Sequence, residues 1–330
     1  MEKRALGKSG PRVSAIGVGA MSFSNMYGPT NETESHAVLD AALELGIDHI
    51  DTANVYGMGM SENAIGSWLK TRGSNPFTIA TKAGITKDAD GNRAYDNSGP
   101  HLEAALDASL KRMGLDRVDL FYVHRRDHSV PIEEVAESLA GMVAKGKIAA
   151  FGFSEIAPSS LRRAAAVHPV AAVQSEYSLA TRAPELGLVQ ACAELGTALV
   201  AFSPVGRGLL TDTPPDAARV QDSVFLKSNP RFSDPNLRAN LEITDRFRAL
   251  AADMGSSAAA LAIAWLLRRG DHVIPIPGTR SVAHLNELAA GAELALSDAD
   301  IAAIEAVLPV GWCHGDRYSD AQWHGPERFS

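Results

Sequence analysis

Short apolar runs alternate along the chain with longer segments in which apolar residues recur at helical spacing. The short runs are typical of strands, and the longer segments are typical of amphipathic helices. Strands that alternate with helices in this way form parallel βαβ units. We therefore predict a (β/α)8 TIM barrel, an α/β fold whose functional site lies at the carboxyl ends of the strands. The eight predicted strands occupy residues 15–18, 47–50, 77–82, 118–124, 147–153, 171–175, 198–203 and 272–276.

The helical segments follow the strands. Ser61 is the predicted N-cap of the second helix, because a serine hydroxyl can accept a hydrogen bond from the first helical turn. The predicted helices occupy residues 33–45, 61–70, 101–113, 131–144, 159–167, 188–195, 241–254, 257–268, 282–290 and 298–308.

The segment before the first barrel strand has a different pattern. Residues 3–6 and 12–14 flank a glycine-rich turn at residues 7–11, which predicts an N-terminal β-hairpin that plugs one end of the barrel. No linker-like stretch separates two independent cores. Residues 1–330 are therefore expected to form a single domain.

Three irregular stretches complete the pattern. Residues 86–99 are polar and too long for a tight βα loop, so we predict that they form a substrate loop. Residues 211–235 are rich in Asp, Pro and Ser and are predicted to form a mobile loop. The aromatic tail at residues 310–330 is expected to lie over the active site.

Composition narrows the class of protein. A hydrophobic content of 45% supports a large core, and a net charge of −8 weighs against nucleic acid or an acidic membrane as a partner. The two cysteines, Cys192 and Cys313, form no metal-spaced cluster, which suits a reduced, cytoplasmic setting. The N-terminal residues Met1-Glu2-Lys3-Arg4 are followed by no long apolar run, so a signal peptide is not expected. No apolar stretch approaches the roughly 18 residues that a membrane span requires.

Three successive predicted strands end in polar side chains, Asp51, Lys82 and His124, and Tyr56 follows the first of them. A tyrosine hydroxyl is a weak acid, with an ordinary pKa near ~10, and a neighbouring cation favours its phenolate form. The cation in turn needs a counter-charge. These four residues therefore supply a general acid, a cation, a carboxylate and an imidazole at one edge of the sheet.

A second motif argues against one class of nucleotide fold. Gly17-Val18-Gly19 resembles the start of a dinucleotide-binding fingerprint, but Ser22 stands where the third glycine belongs. A lone GxG is weak evidence, so a Rossmann domain is not predicted.

In order and context, Asp51, Tyr56, Lys82 and His124 resemble the catalytic tetrad of the aldo-keto reductases. Gly315-Asp316-Arg317-Tyr318 and His124-Arg125 resemble a branch that includes auxin-induced-type plant proteins and microbial reductases. The similarity covers nearly the whole chain and includes Gly17-Val18-Gly19, Asp51-Thr52-Ala53, Tyr56-Gly57, Thr81-Lys82, the segment from Ser109 to His124, Gly152-Phe153-Ser154, Gln174, Ser203-Pro204 and Ile276-Pro277-Gly278.

The resemblance implies an oxidoreductase that reduces aldehydes or small ketones to alcohols by hydride transfer. Tyr56 would protonate the carbonyl oxygen, and Lys82, paired with Asp51, would stabilise the phenolate. His124 would orient and polarise the substrate carbonyl. No His/Asp/Glu cluster with metal-ligand spacing favours a metal-dependent hydrolase.

The resemblance also implies NADP(H), favoured over NAD(H). Ser154 and Gln174 would hydrogen-bond the nicotinamide carboxamide, Phe202 would stack on the ring, and Arg280 would bind the adenosine 2′-phosphate. The implied set of cofactor residues is Gly19, Ala20, Met21, Asp51, Ser154, Glu155, Gln174, Phe202, Ser203, Pro204, Val205, Gly206, Arg207, Gly278, Thr279, Arg280, His284 and Glu287.

Two positions depart from the family pattern. Glu155 replaces the usual Asn after the serine, and its carboxylate is expected to accept a hydrogen bond from the carboxamide. Leu288 replaces an Asn that commonly contacts adenine, which removes one expected contact.

The resemblance leaves the substrate side more open. Met21, Phe23, the loop at residues 86–99, Arg125, Trp312 and Tyr318 are expected to line the substrate pocket. Arg125 has two interpretations, a site for an anionic or polar carbonyl substrate and a structural pair with Asp127. The expected partner is a small carbonyl compound, with the chain a monomer or weak homo-oligomer. The alternative function is an NADP(H)-binding sensor or accessory subunit on the same fold with slow turnover.

Overall fold

The computed structural model describes residues 1–8 and 10–330 and contains an eight-stranded parallel sheet. Ser9, in the turn of the predicted N-terminal hairpin, lies outside the described residues. Each sheet strand pairs with its neighbour in chain order, as right-handed βαβ connections produce. The strands are β1 Val18–Gly19, β2 His49–Asp51, β3 Thr78–Ala83, β4 Val118–Val123, β5 Ile148–Ser154, β6 Ala172–Glu176, β7 Ala198–Phe202 and β8 Val273–Pro275.

The first and last strands close the sheet into a barrel. The Gly17 amide donates to the Pro275 carbonyl at 2.8 Å, and the Gly19 amide donates to the Pro277 carbonyl at 2.9 Å. A Cβ atom at Gly19 would lie 2.7 Å from the Ile276 carbonyl oxygen, so this close approach requires glycine. The glycines of the GxG motif therefore serve barrel closure, and the predicted (β/α)8 barrel is confirmed.

Alternate residues of the strands face different layers of the core. In β4, Leu120 and Tyr122 belong to a small cluster inside the barrel, whereas Phe121 and Val123 belong to the larger cluster under the helices. This alternation is the period of two that a strand imposes on its side chains. The N-terminal hairpin, Lys3–Ala5 paired with Arg12–Ser14, adds Leu6 and Val13 to the inner cluster. The hairpin therefore plugs the barrel as predicted.

Helices cover the outside of the barrel, and polar caps begin several of them. Ser98, Ser257 and Ser281 each accept a hydrogen bond from the first turn of the helix that follows. The helices are α1 Glu32–Glu44, α2 Met60–Arg72, α3 Gly99–Met113, α4 Ile132–Ala144, α5 Pro158–Val167, α6 Leu188–Leu195, α7 Ala217–Asp222, α8 Asn236–Asp253, α9 Ala258–Leu267, α10 Val282–Ala290 and α11 Asp298–Val307.

The predicted N-cap of α2 is wrong. The helix begins at Met60 after Gly59, whose φ of 93° is in the left-handed region. Ser61 lies inside the helix, and its hydroxyl donates to the Ala20 carbonyl at 2.8 Å. The serine therefore fixes the loop after β1 against the turn after β2, a long-range contact that local capping rules do not anticipate.

The two long loops contain more regular structure than the pattern indicated. Residues 86–99 include part of a hairpin, Ile85–Lys87 paired with Arg93–Tyr95. Residues 211–235 include α7 and a short 3-10 turn, Pro230–Phe232. Both elements are too short to leave a clear periodic signal in the sequence.

The length and apolar composition of a helix decide whether it can cross a membrane. Within the described part of the chain, no single helix has both the length and the apolar composition to cross one. The pair α8 and α9, bent by 86° at its break, meets those two criteria jointly.

Candidate active site

The tetrad residues come together at the carboxyl ends of neighbouring strands. Asp51 ends β2, Lys82 lies near the end of β3, and His124 directly follows β4. Tyr56 lies in the turn between β2 and α2, where its amide donates to the Ala53 carbonyl at 3.2 Å. Asp51, Tyr56 and His124 line a cleft of about 1020 Å³, and Lys82 lies behind them, fully buried.

The Lys82 ammonium uses three contacts, which matches its three donors. It pairs with the Asp51 carboxylate, donates to the Thr52 carbonyl at 2.8 Å and donates to the Tyr56 hydroxyl at 3.2 Å. Burial by itself lowers the pKa of Lys82, but the Asp51 carboxylate and the Tyr56 hydroxyl outweigh it, so the pKa lies above its ordinary value. The cation beside Tyr56 is therefore permanent near neutral pH.

Asp51 connects this ion pair to the next part of the cleft. Its second carboxylate oxygen accepts a hydrogen bond from Gln174 Nε2 at 2.8 Å. Both carboxylate oxygens are satisfied in this way, as a buried carboxylate requires. The Gln174 amide oxygen remains available to a ligand, because only the amide nitrogen contacts Asp51.

The His124 imidazole packs edge-on against the Tyr56 ring, with centroids 5.8 Å apart and planes at 82°. Burial, Arg125, Lys82 and Arg93 hold the pKa of His124 well below its ordinary value. The imidazole is therefore neutral at physiological pH and can donate one ring N–H to an oxygen in the cleft.

This neutral histidine predicts a pH dependence of stability. In the unfolded chain, an ordinary imidazole takes up a proton near pH ~6.5, whereas buried His124 does not. The unfolded state then binds more protons, so stability should fall as the pH drops below about 6.5. We expect His124→Asn to reduce that fall by up to about 1.4 kcal/mol per pH unit, measured by denaturant unfolding from about pH 7.5 to about pH 5.5.

The matched control is His128→Asn, which changes an exposed histidine outside the cleft. It should leave the pH dependence as in the wild type. Equal effects of the two substitutions would contradict a protonation penalty at His124.

Arg125 connects the tetrad to the tail. Its Nη1 donates to the His124 carbonyl at 2.6 Å and to Ser154 Oγ at 3.0 Å, and its Nη2 donates to the Tyr318 hydroxyl at 3.0 Å. Of the two interpretations of Arg125, the structural pair with Asp127 is wrong, because the Asp127 carboxylate accepts instead from Ser129. Since Ser154 Oγ accepts from Arg125, its own proton is free to donate to a ligand.

Most of the predicted cofactor residues line the cleft. Ser154 and Gln174 are register partners on β5 and β6, and Phe202 ends β7 at the cleft wall. The lining residues of this set are Gly19, Met21, Asp51, Ser154, Gln174, Phe202, Ser203, Pro204, Val205, Arg207, Gly278, Thr279, Arg280, His284 and Glu287.

Three predicted cofactor residues, Ala20, Gly206 and Glu155, are not part of the cleft wall. Glu155 is fully buried, with a φ of 60°, and its carboxylate pairs with Arg317 at 2.7 Å. It also accepts from the Glu176 amide at 2.9 Å. Both oxygens are thereby engaged within the protein, which removes the expected carboxamide contact.

Arg207 has a similar internal role. Its Nη2 donates to Glu176 Oε2 at 2.5 Å, and its Nη1 donates to the Arg317 carbonyl at 3.0 Å. Arg231 Nη1 reaches the other oxygen of Glu176 at 3.0 Å. We define Glu155, Glu176, Arg207, Arg231 and Arg317 as the ion cluster. The ion cluster connects the ends of two strands to three irregular segments. The five residues are far apart in the sequence, and no local pattern predicts that they pair.

The opposite end of the cleft lies at the start of α10. Arg280 precedes the helix, and its guanidinium donates to the Pro29 carbonyl. Ser281 caps the helix, while His284 and Glu287 follow on its first turns. Backbone N–H groups at a helix start, together with an arginine, form a suitable phosphate site.

The substrate side differs from the prediction in two residues. Phe23 and Trp312 are both buried in the core and do not line the cleft. The indole N–H of Trp312 donates to the Leu179 carbonyl at 2.8 Å. Sequence reasoning missed Tyr27 and Phe225, whose rings pack 5.4 Å apart in the wall.

Within residues 1–8 and 10–330, no group of three or more His, Cys, Asp or Glu side chains could hold a metal ion. Burial raises the pKa of Cys192 to about 12, so this thiol stays protonated in the core.

The sequence matches one family model and is similar to proteins of fission yeast and soybean. The model of the "Aldo/keto reductase family" matches residues 15–309. An aldo-keto reductase of Schizosaccharomyces pombe, yakc, whose name specifies NADP(+), is 39% identical over 311 residues, 93% of this chain and 92% of that protein. Probable aldo-keto reductase 1 of Glycine max is 37% identical over 98% of this chain and 93% of that protein.

Two solved structures share the fold. The glycerol dehydrogenase from Gluconobacter oxydans superposes with a TM-score of 0.80 at 26% identity, covering 93% of this chain and 94% of that one. The holo form of an aldo-keto reductase from Bacillus halodurans gives 0.78 at 25% identity, covering 98% and 99%.

Proposed function

The chain belongs to the aldo/keto reductase family, and from that premise we propose that it is an NADP(H)-dependent oxidoreductase that reduces aldehydes or small ketones to alcohols. The observation that carries this proposal is the Lys82 ammonium, which contacts the Tyr56 hydroxyl at 3.2 Å and the buried Asp51 carboxylate. Such a pairing makes a tyrosine at the cleft surface a usable acid.

The donor set of the cleft fits a nicotinamide dinucleotide. The free Ser154 hydroxyl proton and the free Gln174 amide oxygen suit the two ends of a carboxamide. The Phe202 ring suits stacking, and Arg280 with the start of α10 suits a phosphate. When bound, the reduced cofactor supplies the hydride.

The side chains of the tetrad supply the proton for the carbonyl oxygen and hold that oxygen in place. As negative charge grows on the carbonyl oxygen, the Tyr56 hydroxyl donates its proton to that oxygen and becomes a phenolate beside Lys82. The neutral His124 imidazole donates a ring N–H to the same oxygen and holds it in place. Asp51 keeps Lys82 charged and fixed throughout.

The direct test is loss of NADPH absorbance with a panel of aldehydes and ketones, with and without the purified protein. Turnover that requires both the cofactor and a carbonyl compound supports the proposal. Tight cofactor binding without turnover of any carbonyl would contradict it.

The assignment of the 2′-phosphate to Arg280 gives a second prediction. We expect Arg280→Ala to weaken NADPH binding by about 10- to 100-fold, the size of a charge-assisted hydrogen bond, and to weaken NADH by less than about threefold. Fluorescence titration with each cofactor measures the two dissociation constants.

The control for this experiment is Arg268→Ala, an arginine that pairs with Asp298 away from the cleft. It should change neither affinity. If Arg280→Ala weakened the binding of NADPH and NADH equally, Arg280 would instead contact a part of the cofactor that NADPH and NADH have in common.

A further inference from the structure

The cleft is more basic than the chain as a whole. The net charge of the protein is −8, yet the charged residues of the cleft wall are mostly basic. The acids of the wall are Glu34, Asp51 and Glu287, and the Lys and Arg residues are Lys87, Arg93, Arg125, Arg207, Arg219 and Arg280.

Most of these charges lie at the two ends of the cleft, whereas Arg207 pairs with Glu176 and Arg219 lies on α7. Arg280, Glu287 and Glu34 share the end of the cleft at the start of α10, since Arg280 reaches the Pro29 carbonyl just before α1. The proposed cofactor phosphates account for a basic residue there. They do not account for basic residues at the tetrad end.

Apart from Lys82, which lies behind the wall, the tetrad end has three basic side chains, Lys87, Arg93 and Arg125. The first two lie on the hairpin at the cleft mouth as register partners, and Arg125 follows His124. Asp51 is the acid of this end, and Lys82 and Gln174 already occupy its oxygens. In the described part of the chain, none of the three basic side chains forms a salt bridge, and the wall of this half of the cleft has more basic than acidic side chains.

Arg125 is the strongest of these sites. It is only 8% exposed, and its hydrogen bonds go to neutral oxygens of His124, Ser154 and Tyr318. Within the described residues, no carboxylate pairs with it at salt-bridge distance. Burial lowers the pKa of Arg125, but Tyr318 and the Glu155 carboxylate outweigh it, so the pKa lies above its ordinary value and the guanidinium stays charged. Three of its five N–H donors are used, so two remain for a ligand.

We propose that Arg125 makes the enzyme specific for carbonyl substrates that carry a carboxylate, with Lys87 and Arg93 attracting them at the cleft mouth. This inference rests on the proposed function and adds the substrate class to it. The reaction itself is unchanged, because the carboxylate binds Arg125 while Tyr56 protonates the reduced carbonyl oxygen.

A matched pair of aldehydes tests the proposal. 4-Carboxybenzaldehyde and methyl 4-formylbenzoate have the same ring and reacting group and differ in charge. We expect the wild type to show at least about a 10-fold higher kcat/KM for the acid, chiefly through KM. Arg125→Gln should remove this preference, because kcat/KM for the acid should fall by at least about 10-fold more than kcat/KM for the ester.

Two further variants separate charge from folding. Arg125→Lys keeps the positive charge and should restore part of the preference. Arg126→Gln changes the neighbouring arginine, which bonds Glu327 and Asn97 away from the cleft, and should keep the preference of the wild type. Equal losses for acid and ester in Arg125→Gln would overturn the proposal and assign Arg125 to orienting Ser154 and Tyr318.

A binding measurement distinguishes this inference from the proposed function. Calorimetry with 4-(hydroxymethyl)benzoate and its methyl ester, each with NADP+, should show carboxylate binding that Arg125→Gln weakens by about 10-fold or more. If that holds while no carbonyl is reduced, the proposed function fails and the anion site stands. If the acid and ester bind the wild type equally, the anion site is wrong.

Discussion

Replacing Tyr56 with phenylalanine should lower kcat for carbonyl reduction by about 10²- to 10⁴-fold, the usual contribution of a positioned general acid. The substitution removes one oxygen atom, which is the atom that Lys82 contacts at 3.2 Å. The ring, its edge-on contact with His124 and the cleft wall all remain. Steady-state NADPH oxidation with a saturating aldehyde measures the loss.

The loss should be confined to the chemical step. Cofactor affinity, measured by fluorescence titration, should stay within about threefold of the wild type, because Tyr56 is not among the residues expected to bind the cofactor. Tyr95→Phe is the matched control, since the Tyr95 hydroxyl has no hydrogen-bond partner among the residues that the structure describes and lies outside the cleft wall. A Tyr56→Phe enzyme as active as Tyr95→Phe would remove Tyr56 from the acid role.

The convergence of the tetrad could be predicted from the sequence for a simple geometric reason. Asp51, Lys82 and His124 each lie at the carboxyl end of a short apolar run, and parallel strands bring those ends to one edge. Tyr56 needs only a tight turn to join them. The prediction depended on strand order and direction alone, and both follow from the alternation of strands and helices.

Contacts between distant loops could not be predicted in this way. Ser61 has the appearance of an N-cap, but its hydroxyl donates to the Ala20 carbonyl in the loop after the neighbouring strand β1. Glu155 has the position of a cofactor ligand, but Arg317 from the tail takes its carboxylate. Each outcome depends on where a segment far away in the sequence comes to lie, and no local pattern encodes that.

Short elements inside long loops were missed for a related reason. The strands Ile85–Lys87 and Arg93–Tyr95 have three residues each, too few for a period to show. They are formed because they pair with each other, and the pairing brings Lys87 and Arg93 to the cleft mouth. The sequence therefore predicts the positions of Asp51, Tyr56, Lys82 and His124 better than it predicts the hairpin at the cleft mouth.

The ion cluster should be the most sensitive point for stability. Glu176 is fully buried, and its two carboxylate oxygens pair with Arg207 at 2.5 Å and with Arg231 at 3.0 Å. Glu176→Gln keeps the size of the side chain and removes the charge. It leaves two buried guanidinium groups without their carboxylate, which should destabilise the fold by about 3–5 kcal/mol.

Thermal unfolding measures this loss, and Glu133→Gln provides the control. Glu133 also pairs with an arginine, at 2.6 Å from Arg163, but the Arg163 and Glu133 side chains are 57% and 36% exposed, so water can replace the partner. The control should therefore unfold at the wild-type temperature. If Glu176→Gln also unfolds at the wild-type temperature, the ion cluster does not stabilise the loops that it connects.

The segment that opens first in Glu176→Gln provides a second measurement. Arg207 belongs to the loop after β7 and Arg231 to the segment before α8, and Glu176 at the end of β6 is the carboxylate they share. Losing it should release both segments from the cleft wall before the barrel unfolds. Limited proteolysis of Glu176→Gln should therefore cut between residues 206 and 232 first, because local opening exposes those peptide bonds while the strands stay paired. Cleavage spread evenly over the chain would instead assign the effect of Glu176 to the barrel core.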